Sequence, residues 1–150
     1  MARILLIEDD GYYASVLREA LKEHEVICAY SYNSAIGLWR EYKGNFDCIV
    51  LDLMIDPDGL DRNQIDEFYP VHGILVLEKI CEGKMPDESE EAKIMYDKTI
   101  IHSGYTKELE KFSKFSKYNS LKIIPKERTG ISIVIAKANE IIKNCVGNGQ

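Results

Sequence analysis

The chain has 150 residues, enough for one domain with its own hydrophobic core and too few for two ordinary domains. Its 45% hydrophobic and 29% charged residues are typical of a globular protein, and no apolar run is long enough to span a membrane. A formal net charge of −6 argues against electrostatic binding to nucleic acid or to an anionic membrane surface.

The first residues turn acidic too soon for a signal peptide, and the four cysteines are far apart with no paired spacing. Reduced thiols and a cytoplasmic location are therefore expected.

Apolar periodicity predicts five short strands that alternate with five helices. In chain order these are strand 4–7, helix 13–23, strand 26–30, helix 34–42, strand 46–51, helix 74–81, strand 99–103, helix 107–115, strand 121–124 and helix 131–145. This alternation predicts a doubly wound α/β domain with a parallel sheet and helices on both faces. Asp10 is the predicted N-cap of the first helix. The stretches 55–72 and 82–98 are polar, mostly acidic and longer than ordinary loops, so we expect surface insertions there.

Polar side chains follow the carboxyl ends of four strands, where sheets of this kind bind ligands. Glu8 and Asp9 follow the first strand, Asp52 the third, Ser103 ends the fourth, and Lys126 comes after the fifth. Clustered carboxylates repel one another unless a hard cation such as Mg²⁺ neutralises them. One carboxylate could then attack a phosphorus atom, while a hydroxyl and an ammonium hold the phosphoryl oxygens.

Four segments resemble the receiver domain of two-component response regulators: "ILLIEDD", "CIVLDLM", "IIHSG" and "IIPKE". The resemblance implies a five-stranded parallel sheet in the flavodoxin-like order 2-1-3-4-5. It implies that Asp52 is the phospho-acceptor and that Ser103 and Lys126 contact the phosphoryl group. It also implies a Mg²⁺ site formed by Asp9, Glu8, Asp52 and the backbone carbonyl of Met54.

By this resemblance the chain is a single receiver domain over residues 1–145, with insertions at about 55–72 and 82–98, a tail over 146–150 and no output domain. The implied function is a stand-alone switch in a phosphorelay, phosphorylated by a histidine kinase or a histidine phosphotransfer protein. Its output would be a protein target or a second copy of the chain. Such a domain catalyses only its own phosphorylation and dephosphorylation, so we do not expect an enzyme with a separate substrate.

The sequence departs from the family pattern at two positions and lengthens one loop. Glu127 follows Lys126 where the family usually has a proline in a cis peptide, and a trans bond is expected because a non-proline cis bond costs about 3 kcal/mol. Ile123 occupies the position of the aromatic rotamer switch, so that relay is not expected. The helix "HGILVLEKI" carries Gly73 at the family's usual glycine but begins well beyond Asp52.

Alternative interpretations come from the acidic residues after Asp52 and from the last helix. "DPDGL" resembles the signature of haloacid dehalogenase-type phosphatases, which would use Asp56 or Asp52, but the acidic pair lies upstream of the lysine in this chain. A calcium loop over 56–67 is disfavoured by Leu60 at a ligand position. A pseudo-receiver that only binds proteins is the third alternative. Ile133 lies off the apolar face of the last helix, so an exposed partner contact is expected there.

Overall fold

The structure is a computed structural model that describes residues 1–112, 115, 121–127 and 129–148. The described strands are β1 (Arg3–Ile7), β2 (Glu25–Ala29), β3 (Cys48–Leu51), β4 (Thr99–Ser103) and β5 (Lys122–Pro125). The described α-helices are α1 (Gly11–Ala20), α2 (Tyr32–Glu41), α3 (Arg62–Phe68), α4 (Ile74–Ile80), α5 (Glu90–Asp97) and α6 (Gly130–Asn148), with a 3-10 helix over Glu108–Lys111.

The five strands form one parallel sheet in the order β2-β1-β3-β4-β5, which confirms the predicted order. The register aligns the last residues of neighbouring strands: Ile7 pairs with Ala29 on one side and with Leu51 on the other, and Leu51 pairs with Ile101. Because the strands are parallel and nearly in register, the residues that follow β1, β3 and β5 emerge at the same edge of the sheet.

Alternating side chains of the central strands feed two separate cores, one on each face of the sheet. Leu5 and Ile7 belong to the core under α2, α4 and α5. Ile4 and Leu6 belong to the core under α1 and α6. Every residue of β3 is buried, as expected for a parallel strand covered on both faces. Helices on both faces are thus confirmed.

Side-chain caps determine where the first two helices begin. Asp10 Oδ1 accepts hydrogen bonds from Tyr12 N at 2.9 Å and from Tyr13 N at 3.4 Å, so it is the N-cap that was predicted. The Ser31 hydroxyl accepts from Ser34 N at 3.0 Å and forms a capping box at the start of α2.

Both long polar stretches contain a helix that the sequence pattern did not predict. In 55–72 it is α3, whose cap is Asp61, and in 82–98 it is α5. Tyr96 of α5 is fully buried, so this stretch supplies part of the core in addition to surface. Each helix has fewer than three turns, which is too short for a clear apolar period.

The predicted helix 107–115 is described only in part. Glu108–Lys111 forms a 3-10 helix, while residues 113, 114 and 116–120 lie outside the described residues. Ile133 is 44% exposed, which agrees with its predicted position off the core face of α6. Among the described residues, no helix is long and apolar enough to cross a membrane.

Candidate functional site

The backbone of the site is an extension of the sheet beyond the strand ends. Asp52 N donates to the Ile7 carbonyl oxygen at 2.9 Å, and Lys126 N donates to the Ser103 carbonyl oxygen at 3.0 Å. Glu8 N likewise donates to the last carbonyl of β2 at 3.0 Å. These bonds hold the rim residues where the strands direct them, so their side chains project from a rigid edge.

Three acidic residues form a cluster at this edge. Carboxylate oxygens of Glu8, Asp9 and Asp52 all lie within 4.8 Å of one another. Glu8 is 2% exposed and Asp52 is 4% exposed, whereas Asp9 is open to solvent. The structure therefore brings together the three carboxylates that the sequence predicted, two of them in a buried environment where like charges repel strongly.

Lys126 is the cation that compensates this cluster. Its Nζ lies 3.0 Å from Asp52 Oδ2 and also contacts Glu8 Oε1, with only 13% of the side chain exposed. Burial by itself would lower the pKa of Lys126, but the hydrogen bond to Glu8 and the charge of Asp52 outweigh it and raise the pKa. The ammonium therefore stays charged at neutral pH and is shared between two buried carboxylates.

The shared ammonium does not fully compensate the acids. Burial, followed by the hydrogen bond and charge of Asp52, raises the pKa of Glu8 to about 8 in spite of Lys126. Burial and then the charge of Asp52 also raise the pKa of Asp9. Glu8 thus holds a proton over much of the neutral range in the metal-free protein.

The raised pKa of Glu8 predicts how the stability of the protein depends on pH. Folded Glu8 binds its proton up to about pH 8, whereas its ordinary pKa is 4.5, so the free energy of unfolding falls with rising pH between these values. The pKa of His102 falls from 6.5 to about 4, because its burial and then the charge of Lys126 disfavour the imidazolium. Between pH 4 and pH 6.5 this residue makes the free energy of unfolding rise with pH.

Below pH 6.5 the titrations of His102 and Glu8 change the free energy of unfolding in opposite directions. Above pH 6.5, of these two, only Glu8 still contributes. With a chelator present, we expect urea denaturation to show a loss of about 1 to 2 kcal/mol in the free energy of unfolding from pH 6.5 to pH 8. Glu8→Gln should abolish the loss, since glutamine does not titrate. An unchanged loss in Glu8→Gln would contradict the assignment of the proton to Glu8.

Two further predicted residues lie at the same edge. Ser103 is fully buried, and its Oγ accepts a hydrogen bond from Tyr105 N at 3.2 Å, which uses an acceptor site of the hydroxyl and not its proton. Met54 N donates to Asp52 Oδ1 at 3.4 Å, so the chain turns tightly after β3 and Met54 stays beside the acceptor carboxylate. The predicted metal contact through the Met54 carbonyl stays a prediction.

The turn after β5 lacks the cis peptide of the family pattern. Within the described residues the cis peptide bond is Tyr69–Pro70, and the bond between Lys126 and Glu127 is trans as expected. Glu127 N donates to the Pro125 carbonyl oxygen at 2.9 Å, and Gly130 N donates to the Glu127 carbonyl oxygen at 2.9 Å. A tight turn of ordinary peptide geometry therefore holds Lys126 in place before α6 begins.

Asp56 and Asp58 lie away from the acid cluster. The Asp56 carbonyl accepts from Tyr32 N at 2.9 Å and the Asp58 carbonyl accepts from Asn33 N at 2.9 Å, so this part of 55–72 is bound to the start of α2. Asp56, the nucleophile of the phosphatase alternative, is therefore not part of the acid cluster and has no contact with Lys126. Asp61, which stands where a calcium loop needs glycine, caps α3: its Oδ1 accepts a hydrogen bond from Gln64 N at 2.9 Å.

Three residues at the site were not predicted from the sequence as functional. The Tyr13 ring lies under the Lys126 ammonium, with 4.2 Å between Nζ and the ring centroid. His102 is buried next to it, with 6.2 Å between the two ring centroids. A Cβ on Gly73 would stand 2.0 Å from the Asp52 carbonyl oxygen. No sequence period marks these residues, because each contact joins segments that are distant along the chain.

Comparisons with solved structures give one consistent fold. The receiver domain of Francisella response regulator 1452 superposes with a TM-score of 0.63 and 20% identity, covering 97% of this chain and 99% of that chain. A response regulator receiver domain protein from Clostridium thermocellum gives 0.64 and 18%, covering 96% of each chain. The non-phosphorylated HemR receiver domain from Leptospira biflexa gives 0.61 and 23%, covering 95% and 94%.

No protein-family model matches the chain, and no curated protein does. The chain therefore has the fold of response regulator receiver domains over nearly its whole length. At these identities the likeness concerns the fold alone.

Proposed function

We propose that this protein is a receiver-type signalling switch that accepts a phosphoryl group on Asp52 in a Mg²⁺-dependent reaction. The observation that supports it most is the position of Asp52. Its carboxylate ends a fully buried strand, lies beside Glu8 and Asp9, and contacts one lysine. A nucleophile held by a rigid strand needs little further ordering to attack an incoming phosphorus atom.

The acid cluster fits a magnesium ion. Mg²⁺ prefers oxygen ligands and keeps several waters, and Glu8, Asp9 and Asp52 offer carboxylate oxygens close together at a rim open on the side of Asp9. These residues and the Met54 carbonyl would hold the ion. Bound there, it would supply positive charge that offsets the repulsion between an anionic nucleophile and an anionic phosphoryl donor.

The proposed reaction is a direct displacement at phosphorus. An oxygen of Asp52 forms a bond to phosphorus while the bond from phosphorus to the donor breaks, and the donor leaves with that electron pair. The donor is the phosphohistidine of a histidine kinase or of a phosphotransfer protein. Lys126 and Ser103 would hold the phosphoryl oxygens as charge moves onto them. Attack by water on phosphorus later returns the free carboxylate.

The proposed role is that of a switch without a separate substrate. Its output would be a change in the surface offered to a protein target or to a second copy of the chain, and Ile133 provides an exposed apolar contact on α6. We place this signalling in the cytoplasm, where histidine kinases present their phosphohistidine.

The proposal is tested by incubating the protein with acetyl phosphate and Mg²⁺ and mapping the modification by mass spectrometry. We expect one phosphoryl group, located on Asp52, with no modification when a chelator replaces Mg²⁺. Asp52→Asn should abolish it, because the amide is not a nucleophile toward phosphorus. Asp56→Asn is the matched control and should be modified as fast as the wild type, since the backbone of Asp56 is bound to the start of α2.

Modification on Asp56 or Asp58 would contradict the assignment. Absence of any modification with acetyl phosphate and with a panel of phosphorylated histidine kinases would favour a pseudo-receiver. Sustained turnover of a phosphomonoester would favour a phosphatase.

Magnesium is expected to stabilise the folded protein, and Asp9 is expected to carry much of this effect. In thermal unfolding, Mg²⁺ should raise the Tm, since a ligand that binds only the folded state stabilises it. Asp9→Ala should raise the Tm of the metal-free protein, because it removes the negative charge of Asp9, which that of Asp52 repels. The same variant should lose most of the Mg²⁺-dependent rise. The control is Asp66→Ala, which removes an exposed acid on α3. Asp10→Ala is unsuitable as a control because Asp10 caps α1.

A further inference from the structure

The Lys126 ammonium has a neighbour besides its two carboxylates. Its Nζ stands 4.2 Å from the centroid of the Tyr13 ring, within the range of a cation–π contact. The contact is largely shielded from water, because only 13% of the lysine side chain is exposed. Contacts of this kind are strongest when water is excluded from the ammonium.

The Tyr13 ring is itself held from several directions. Tyr13 lies in the first turn of α1, where Asp10 Oδ1 accepts a hydrogen bond from Tyr13 N at 3.4 Å. Its ring meets His102 edge-on, with centroids 6.2 Å apart and planes at 80°. It also meets Tyr12 edge-on at 5.8 Å. The face offered to the ammonium is therefore set by the helix start and by the His102 ring.

Burying a histidine at position 102 is energetically unfavourable if the ring serves only to fill space. It is 2% exposed, and neither ring nitrogen has a hydrogen-bond partner among the described residues. A buried polar ring without partners is destabilising relative to an apolar side chain of similar size. Its pKa is lowered to about 4 by burial and then by the charge of Lys126, so the ring is uncharged and does not repel the ammonium.

The position of His102 connects it to two parts of the site. It directly precedes Ser103 on β4, and its Nε2 would stand 3.2 Å from a Cβ added to Gly130, where α6 begins after the Lys126 turn. The ring therefore fills the space between the first turn of α1 and the start of α6.

We propose that Tyr13 and His102 are positioning residues that hold the Lys126 ammonium in place for phosphoryl transfer, an inference that rests on the proposed function. A cation in the Glu8–Asp9–Asp52 cluster would compete with Lys126 for two of the same carboxylates, those of Glu8 and Asp52. Tyr13 contacts the ammonium through its ring face, which such a cation would not take from it. A lysine on a flexible four-carbon stem would otherwise be free to leave when its carboxylates are engaged.

The kinetic test uses phosphorylation by acetyl phosphate at saturating Mg²⁺. Tyr13→Leu should lower the maximal rate about 5- to 10-fold, since the ring face is lost. The concentration of Mg²⁺ needed for half-maximal rate should stay the same. Tyr13→Phe keeps the ring and should retain at least half of the wild-type rate. The matched control is Tyr30→Leu, at a tyrosine that is 48% exposed and directly follows β2, which should behave like the wild type.

The second measurement does not require phosphorylation. In the metal-free protein the ring current of Tyr13 should shift the Lys126 Hε resonances upfield, and Tyr13→Leu should return them toward ordinary lysine values. Tyr13→Phe should preserve the shift. His102→Leu, which fills the space without an aromatic edge, should reduce the upfield shift and lower the phosphorylation rate about 3-fold.

Two results would overturn the proposal: a wild-type rate in Tyr13→Leu, or Lys126 Hε resonances that do not depend on the residue at position 13. A general loss of folding in Tyr13→Leu would appear as a lowered Tm together with a changed Mg²⁺ requirement, and it would count against a positioning role. If the wild type accepts no phosphoryl group, the proposed function fails, and the resonances alone decide whether Tyr13 holds Lys126.

Discussion

Gly73→Ala is expected to lower the free energy of unfolding by about 3 kcal/mol and to displace the phospho-acceptor. A Cβ at position 73 would stand 2.0 Å from the Asp52 carbonyl oxygen and 3.0 Å from the Leu53 Cα. Both are backbone atoms of the turn after β3, so no side chain can rotate away to make room. Gly73 N also donates to the Leu53 carbonyl oxygen at 2.6 Å, which ties the start of α4 to that turn.

The variant should lose stability and should also lose phosphorylation by acetyl phosphate, because the strand end that positions Asp52 has to move. Urea denaturation measures the first effect and the initial rate of modification measures the second. Gly37→Ala is the control: position 37 lies inside α2 with nothing within 4 Å of the added Cβ. It should stabilise the protein by about 0.5 to 1 kcal/mol. A fully stable, fully active Gly73→Ala would show that the close approach is not required.

Lys126→Met is expected to cost about 3 kcal/mol of unfolding free energy near pH 7, and the cost should increase above pH 8, where the wild type releases the Glu8 proton. The change leaves Glu8 and Asp52 buried without their shared cation. Because Lys126 lowers the pKa of Glu8, its removal should raise that pKa further. The folded state then keeps a proton that the unfolded chain releases, so stability falls as pH rises and the variant is penalised most in alkaline buffer.

Saturating Mg²⁺ should recover part of this loss, since a divalent cation can replace the missing positive charge. The comparison is Lys137→Met, whose lysine forms an exposed pair with Glu140 on α6 and whose replacement should change stability by less than about 1 kcal/mol. Equal losses at about pH 7 and about pH 9 would argue that Lys126 contributes by packing and not by compensating the acids.

The sequence by itself determined the sheet and the residues at its carboxyl edge. Short apolar runs such as residues 48–51 are buried on both faces, and the polar residue after each run must emerge where parallel strands end. Asp52, Glu8, Asp9 and Lys126 could be predicted for this reason, because each belongs to a strand whose position follows from the alternation of strands and helices. The cap at Asp10 was predictable because capping acts over two or three residues.

The tertiary structure alone decided how these residues are arranged. The short helices α3 and α5 escaped prediction because seven or eight residues carry too little period, and their formation depends on caps and on contacts such as the burial of Tyr96. The Tyr13 ring under Lys126 and the approach of Gly73 to Asp52 join segments that lie far apart in the chain. Such contacts leave no local pattern in the sequence, since they arise only when the packed sheet brings those segments together.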